Sequence, residues 1–450
     1  MTGPLLLLAV LAQAQADTGR AGRPCVVTID SVGNYGRQVE AGPGETNFYA
    51  GGGVWAHCQG TGSTLVADSV AWFAGPGRFD MLGNVRIRDS AFALDATTAA
   101  YFVRQELLEA HRNVVAVNRA TGSVLRGPNL TYRRAAPGLR DTAELYATGR
   151  PTLEYRSRPD SGEPYVIVGD RVRIRGNDRI FAAGRATVDR SDLAGRADSM
   201  ALDEGAGYGV MVGKPRIDGK SGRPYALVGR RIHFTLAQRE IRVVRALGAG
   251  EASGEDWRLT ADTIHLALER RRLQQAFAWG DSSRPHAVST RNTVQADSLA
   301  LDAPEEVLRE IRAFGRAFST SQPDSATAAG DVDWITGDTI TARFEPVADS
   351  AGRTSPELRQ LVARGSARAL THLYERERAG PPALNYSRGT RIDIALRDDQ
   401  IDRVVVSGRA DGVHLESIRP APAAADTATG GTTSRSPPAP PPPVRPGTPR

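Results

Sequence analysis

The residues that could do chemistry are few and scattered. His57, His111, His233, His265, His286, His372 and His414 stand singly, with no H-E-x-x-H and no H-x-H. A metal centre or a catalytic base needs several such side chains to converge, so no metal and no cofactor is expected. Gly209-Val-Met-Val-Gly213-Lys214-Pro215 resembles a phosphate loop, but it is one residue short and Pro215 stands where the hydroxyl residue belongs. It reads better as a strand ending in glycine. There is no G-x-S-x-G. What recurs is aspartate, at Asp68, Asp198, Asp262, Asp297 and Asp338, each time in the same setting. One active site needs few residues in one place, so a carboxylate repeated along the chain is structural. The sequence predicts no enzyme.

Those aspartates belong to a repeat of two half-units. The first is apolar-x-Ala/Gly-Asp-Ser/Thr-apolar-x-apolar, as in Leu65-Val-Ala-Asp68-Ser-Val70-Ala-Trp72 and Val294-Gln-Ala-Asp297-Ser-Leu299-Ala-Leu301. Degenerate copies lie at Leu125–Tyr132, Val168–Ile174, Leu227–Phe234 and Gly389–Leu396. The second is an apolar stretch followed by Gly-x-Ala/Val, as in Phe79-Asp-Met-Leu-Gly83-Asn84-Val85-Arg-Ile87 and Ile311-Arg-Ala-Phe-Gly315-Arg-Ala317. They alternate about ten times, roughly every 28 to 50 residues. Within each, apolar residues fall at i, i+2 and i+4, the period of a strand with one face inward. The glycine marks a bulge or bend. The fold class is therefore all-β, an elongated series of at least twenty short strands in hairpins. Insertions at Ala136–Asp141, Ser157–Glu163, Gln322–Gly330 and Glu375–Pro382 read as loops on one edge.

With 450 residues, 40% hydrophobic and 24% charged, the chain can bury a large core. No apolar run approaches 18 residues, so no spanning helix is expected. The net charge of +6 is not a nucleic-acid signature. Arg419, Arg435, Arg445 and Arg450 against Asp426 account for half of it, and the rest is interspersed. Residues 1–16 carry a short apolar core ending in Ala14-Gln15-Ala16, which reads as a cleaved signal peptide, although no Lys or Arg precedes the core. In an exported chain the isolated pair Cys25 and Cys58 reads as a disulfide, the alternative being two buried free thiols. Residues 17–48 form an N-terminal segment, 49–417 the repeated β region, which could divide into two or three tandem domains. Residues 418–450 are rich in proline and predicted to be disordered, with polyproline II at Pro440–Pro443.

The alternation of these half-units resembles the OstA-like N-terminal domain of the lipopolysaccharide-transport family, whose members include a periplasmic bridge protein and the periplasmic part of the outer-membrane translocon. The resemblance rests on Leu65–Phe73 followed by Phe79–Ile87, on Ala93–Tyr101 followed by Glu109–Ala116, and on Gly365–Ala367, Gly389–Ile394 and Asp399–Val413 near the end. It covers about residues 50–416 and is most worn over Arg150–Val188. It implies a twisted two-sheet β-jellyroll around a greasy groove that passes acyl chains through the periplasm. Lipid-contacting residues would be Val70, Trp72, Val85, Ile87, Val114, Leu130, Tyr132, Val172, Ile174, Ile232, Phe234, Ile264, Leu266, Leu299, Leu301, Ile340, Phe344, Ile392, Ile394, Val404 and Val406. The ligand would be lipopolysaccharide or a similar amphipathic glycolipid, and the place the periplasm or its outer-membrane face. The partners would be other jellyroll transport proteins or a second copy, met head to tail through Phe48–Trp55 at one end and Asp399–Gly408 at the other. Two alternatives stay open: the inner face is a groove or a sealed core, and the chain is a conduit or an adhesin-like β-solenoid stalk without a ligand. The small inner residues Ala182, Gly184, Ala186, Ala313, Gly315 and Ala317 favour room for a groove. Twenty strands shared between two sheets would stack to roughly 50 Å.

Overall fold

The computed structural model describes residues 26–59, 62–136, 138–220, 224–238, 240–255, 257–322, 332–348, 354–373, 382–397 and 400–416. The expected signal peptide, Cys25, the loop tips 323–330 and 375–381 and the proline-rich tail 418–450 lie outside the described residues. Among the described residues 75% are strand and none is in an α-helix. The strands follow one another antiparallel in chain order. β structure runs from Val26 to Leu415.

Strands Thr64–Phe73 and Arg78–Arg88 show the rule that organises the molecule. Leu65 pairs with Ile87 and Val66 with Arg86; two residues on the first strand and three on the second then drop out of the ladder, and pairing resumes with Ser69 opposite Leu82. The dropped residues are Ala67–Asp68 and Gly83–Val85. At this point both strands turn a corner, so each half lies in a different leaf of a folded sheet. Leu65, Ile87, Leu94 and Ala116 lie in one leaf; Val70, Met81, Ala99 and Ala110 lie in the other. The same gap in register recurs at Ala183/Ala186, Leu247/Gly250, Phe314/Ala317 and Arg364/Ala367. Elsewhere the corner breaks the strand outright, as between Glu144–Thr148 and Thr152–Tyr155, which pair separately in the two leaves.

Glycine makes the corner possible. Gly83 has φ +74° and Asn84 φ +45°, two successive residues in the left-handed region, where a side chain on the first would be strained. A Cβ on Gly83 would also lie 2.2 Å from Asp68 Oδ2. The repeated aspartate therefore sits directly on the repeated glycine of the next strand, as Asp170 does on Gly184, Asp297 on Gly315 and Asp338 on Gly365. The backbones lock as well: the Asp170 N–H donates to the Gly184 carbonyl at 2.9 Å and the Asp198 N–H to that of Gly213 at 3.0 Å. Gly209–Pro215 belongs to this pattern, with Gly213 and Lys214 at the corner.

Two expectations change as a result. The strands are not divided between two sheets; nearly every long strand serves both. Each leaf has about twenty rungs and a length of about 100 Å, twice the earlier figure. The insertions are not on one edge: Ala136–Asp141 lies at the free margin of the Val70 leaf, Ser157–Glu163 at that of the Leu65 leaf.

The apolar faces of the leaves close on each other. The largest fully buried side chains, among them Phe79, Met81, Leu94, Leu130, Ile180, Ile232, Ile264 and Leu299, come from both leaves. Each such burial stabilises by about 1.5–3 kcal/mol.

Candidate functional site

The long apolar interior between the leaves is the most extended apolar feature of the described residues. Of the residues expected to line it, all but Phe344 belong to two consecutive apolar clusters. Val70, Val85, Ile87, Val114, Leu130 and Val172 are buried in the first, with Trp72, Tyr132 and Ile174 half-buried at its margin. Ile232, Ile264, Leu266, Leu299, Ile340, Ile392 and Ile394 are buried in the second, with Phe234, Leu301, Val404 and Val406 half-buried beside them. Phe344 lies farther out, where the strand Asp333–Ala348 runs past its neighbour into a polar recess with Glu310, Arg343 and Arg359.

Burial falls from corner to margin along several strands, although Phe79 and Ile180 near the margin stay at most 2% exposed. Val172, Ile232, Ile264 and Ala278 near the corner are 0% exposed, while Trp72, Tyr132, Phe234 and Leu301, one or two positions farther out, are half-buried. The small residues Ala182, Ala186, Ala313 and Ala317 are at most 1% exposed. They do not leave room, because they stand where the leaves converge, and Gly184 and Gly315 are filled by Asp170 and Asp297. The interior is closed at the corner and loosest at the margins.

Beside Tyr132, which the sequence pattern placed on the inner face, the margins hold residues that the periodicity did not reveal. Phe92 of the Leu65 leaf stacks on Tyr132 of the Val70 leaf at 4.7 Å with the rings 9° apart. Arg134 reaches Asp89 across the same gap at 3.8 Å. Tyr101 donates to Glu106 Oε2 at 2.6 Å, and Glu106 is only 8% exposed. Burial pushes the Tyr101 hydroxyl far up, with the Glu106 bond adding to it, and pushes up that of Tyr132 too. Both phenols stay protonated, and that of Tyr101 donates to Glu106. A small cavity of about 50 Å³ lies behind them, lined by Leu65, Ile87, Phe92 and Leu108. Phe92 and Leu94 alternate in Phe92-Ala-Leu94-Asp, a strand signal; Asp89, Glu106 and Arg134 lie in turns, which periodicity cannot reach.

A second polar group lies where the two clusters meet. Arg190 is 8% exposed, lies 4.1 Å over the Tyr165 ring and pairs with Asp192. Burial would raise the Asp192 carboxyl, but the Arg190 guanidinium outweighs it and holds it low. Cys58 lines the first cavity and is disulfide-bonded; Cys25 lies outside the described residues.

No group of three or more metal-ligating side chains occurs among the described residues. The expected edge at Phe48–Trp55 is not one, since the strand Glu45–Gln59 is paired on both sides. Among the described residues, the free edges are Val26–Val32 with Tyr35–Gly42 at one end and Gln400–Ser407 with Asp411–Leu415 at the other. No protein-family model matches the chain, and no curated protein matches it.

Proposed function

We propose that the protein is a non-enzymatic periplasmic conduit for the acyl chains of lipopolysaccharide or a similar amphipathic glycolipid, serving outer-membrane assembly as the OstA-like resemblance implies. One observation carries this reading: a one-sided apolar lining runs between two leaves from Val27 to Val406. A molecule about 100 Å long is of a scale to hand a lipid across an aqueous gap. The half-buried margin residues would meet the chain first, and parting the leaves would expose the rest.

A second reading is a ligand-free stalk, favoured by the complete burial of the corner residues Val172, Ile232 and Ile264. A photoreactive residue in living cells separates the two. Placed at Leu266 or Leu301 it captures lipid if the interior is a conduit, while the outward Thr263 captures none. Equal capture at all three positions, or none at any, rejects the conduit and leaves the stalk.

A further inference from the structure

We infer that ligand enters between the leaf margins at residues 89–134, through a portal that the structure holds shut. This rests on the conduit reading above and locates its point of admission. The corner cannot serve, because the strands Phe92–Phe102, Leu107–Asn118 and Val124–Arg133 each run through it unbroken from one leaf to the other. Only the margins can part, and at this place they are joined by the kinds of contact that exchange readily. The Asp89–Arg134 pair is long at 3.8 Å, with side chains 14% and 30% exposed, and an ion pair in reach of water contributes little. The Phe92–Tyr132 stack is a single aromatic contact, of order 1 kcal/mol beyond its buried area. Asn118 Nδ2 donates to Asn177 Oδ1 across the same gap at 3.2 Å.

What lies behind the closure fits an amphiphile. The cavity wall is apolar, with Leu65, Ile87 and Leu108, and its rim is polar, with Asp89, Glu106 and Arg134. At about 50 Å³ it holds one or two waters and no acyl chain, so a chain is admitted only when Phe92 and Tyr132 separate. The hydroxyls of Tyr101 and Tyr132 then face the polar part of the ligand while its chain takes the place of the stack.

The test ties the margins together. Asn118→Cys and Asn177→Cys are joined by a short thiol-cleavable bismaleimide in the full chain, and uptake of cis-parinaric acid is followed by fluorescence. The tie slows uptake at least tenfold, and cleavage restores it; wild type given the same reductant controls for the native disulfide. A tie between Arg126→Cys and Glu154→Cys, neighbours within the Leu65 leaf, leaves uptake unchanged. Arg134→Ala raises the association rate several-fold. Uptake by the tied protein at the wild-type rate overturns the portal and leaves the conduit standing. Absence of uptake by wild type itself, tied or not, rejects the conduit and the portal with it.

Discussion

At the scale of single residues, the chemistry of this chain is spent on turning corners. Three of the corner aspartates, Asp170, Asp262 and Asp297, lie at the surface with carboxylates bonded in their ionised form. Arg185 donates to Asp170 at 2.7 Å and Arg316 to Asp297 at 2.7 Å. Ser283 and Ser282 donate to Asp262 through hydroxyls and backbone N–H groups. The Arg185 bond holds Asp170 below its ordinary value, the Arg316 bond does so for Asp297, and the serines hold Asp262 well below the carboxylate range. A carboxyl lowered on folding adds stability above its unfolded value, near 3.9, and that stability is lost as pH falls through the folded value. Amide hydrogen exchange at the corners is thus expected to be flat from pH 7 to 5, after correction for the intrinsic rate, and to accelerate below about pH 4. Asp297→Asn removes that acid response around Gly315 alone; an unchanged response means that other groups govern it. The glycine has a sharper test. Gly83→Val places a branched side chain at φ +74° and against Asp68, at a cost of about 2 kcal/mol or more. Protection is lost first in the strands Thr64–Phe73 and Arg78–Arg88, because repeats contact mainly their neighbours.

At the scale of the strand, the inward and outward faces were readable from residue types and the corner was only half readable. Ile264, Leu266 and Leu268 alternate with Thr263 and His265, and they divide between interior and exterior as that alternation requires. The aspartate and the glycine each announce a break, but their meeting across two strands is a tertiary fact. Reading each break as a strand end gives many short strands in two sheets and half the true length. The contact that closes the margin stayed hidden for another reason. Phe92 and Tyr132 are forty residues apart and touch only because the leaves close, and neither period nor propensity encodes that closure. Packing at the strand level gives its own prediction. Ile264→Ala removes a side chain that is 0% exposed and is expected to cost about 2–4 kcal/mol. The same change at the half-buried Leu301 costs less, as thermal unfolding of both variants will show; equal losses contradict a gradient of closure from corner to margin.

At the scale of the whole molecule, two open ends follow from a meander that never closes on itself. The last strand, Asp411–Leu415, is exposed along its full length, with Val413 53% and Leu415 56% exposed. Val26–Val32 and Tyr35–Gly42 leave the opposite edges unpaired on their outer sides. Unpaired backbone groups in a row are templates for another strand, and here each end offers two half-strands, one per leaf. We expect head-to-tail association of copies, or of this chain with another jellyroll domain, that continues both leaves and the apolar interior between them. Small-angle scattering of dilute protein should return a rod of about 100 Å, with longer rods of the same cross-section as concentration rises. Val413→Lys and Leu415→Lys together put charges on the C-terminal edge and should suppress the longer species while leaving the single rod unchanged. Removing residues 417–450, which follow directly on that edge, should promote association if the tail shields it. A strict monomer at all concentrations, with and without the tail, removes end-to-end joining from the account and limits any conduit to the length of one chain.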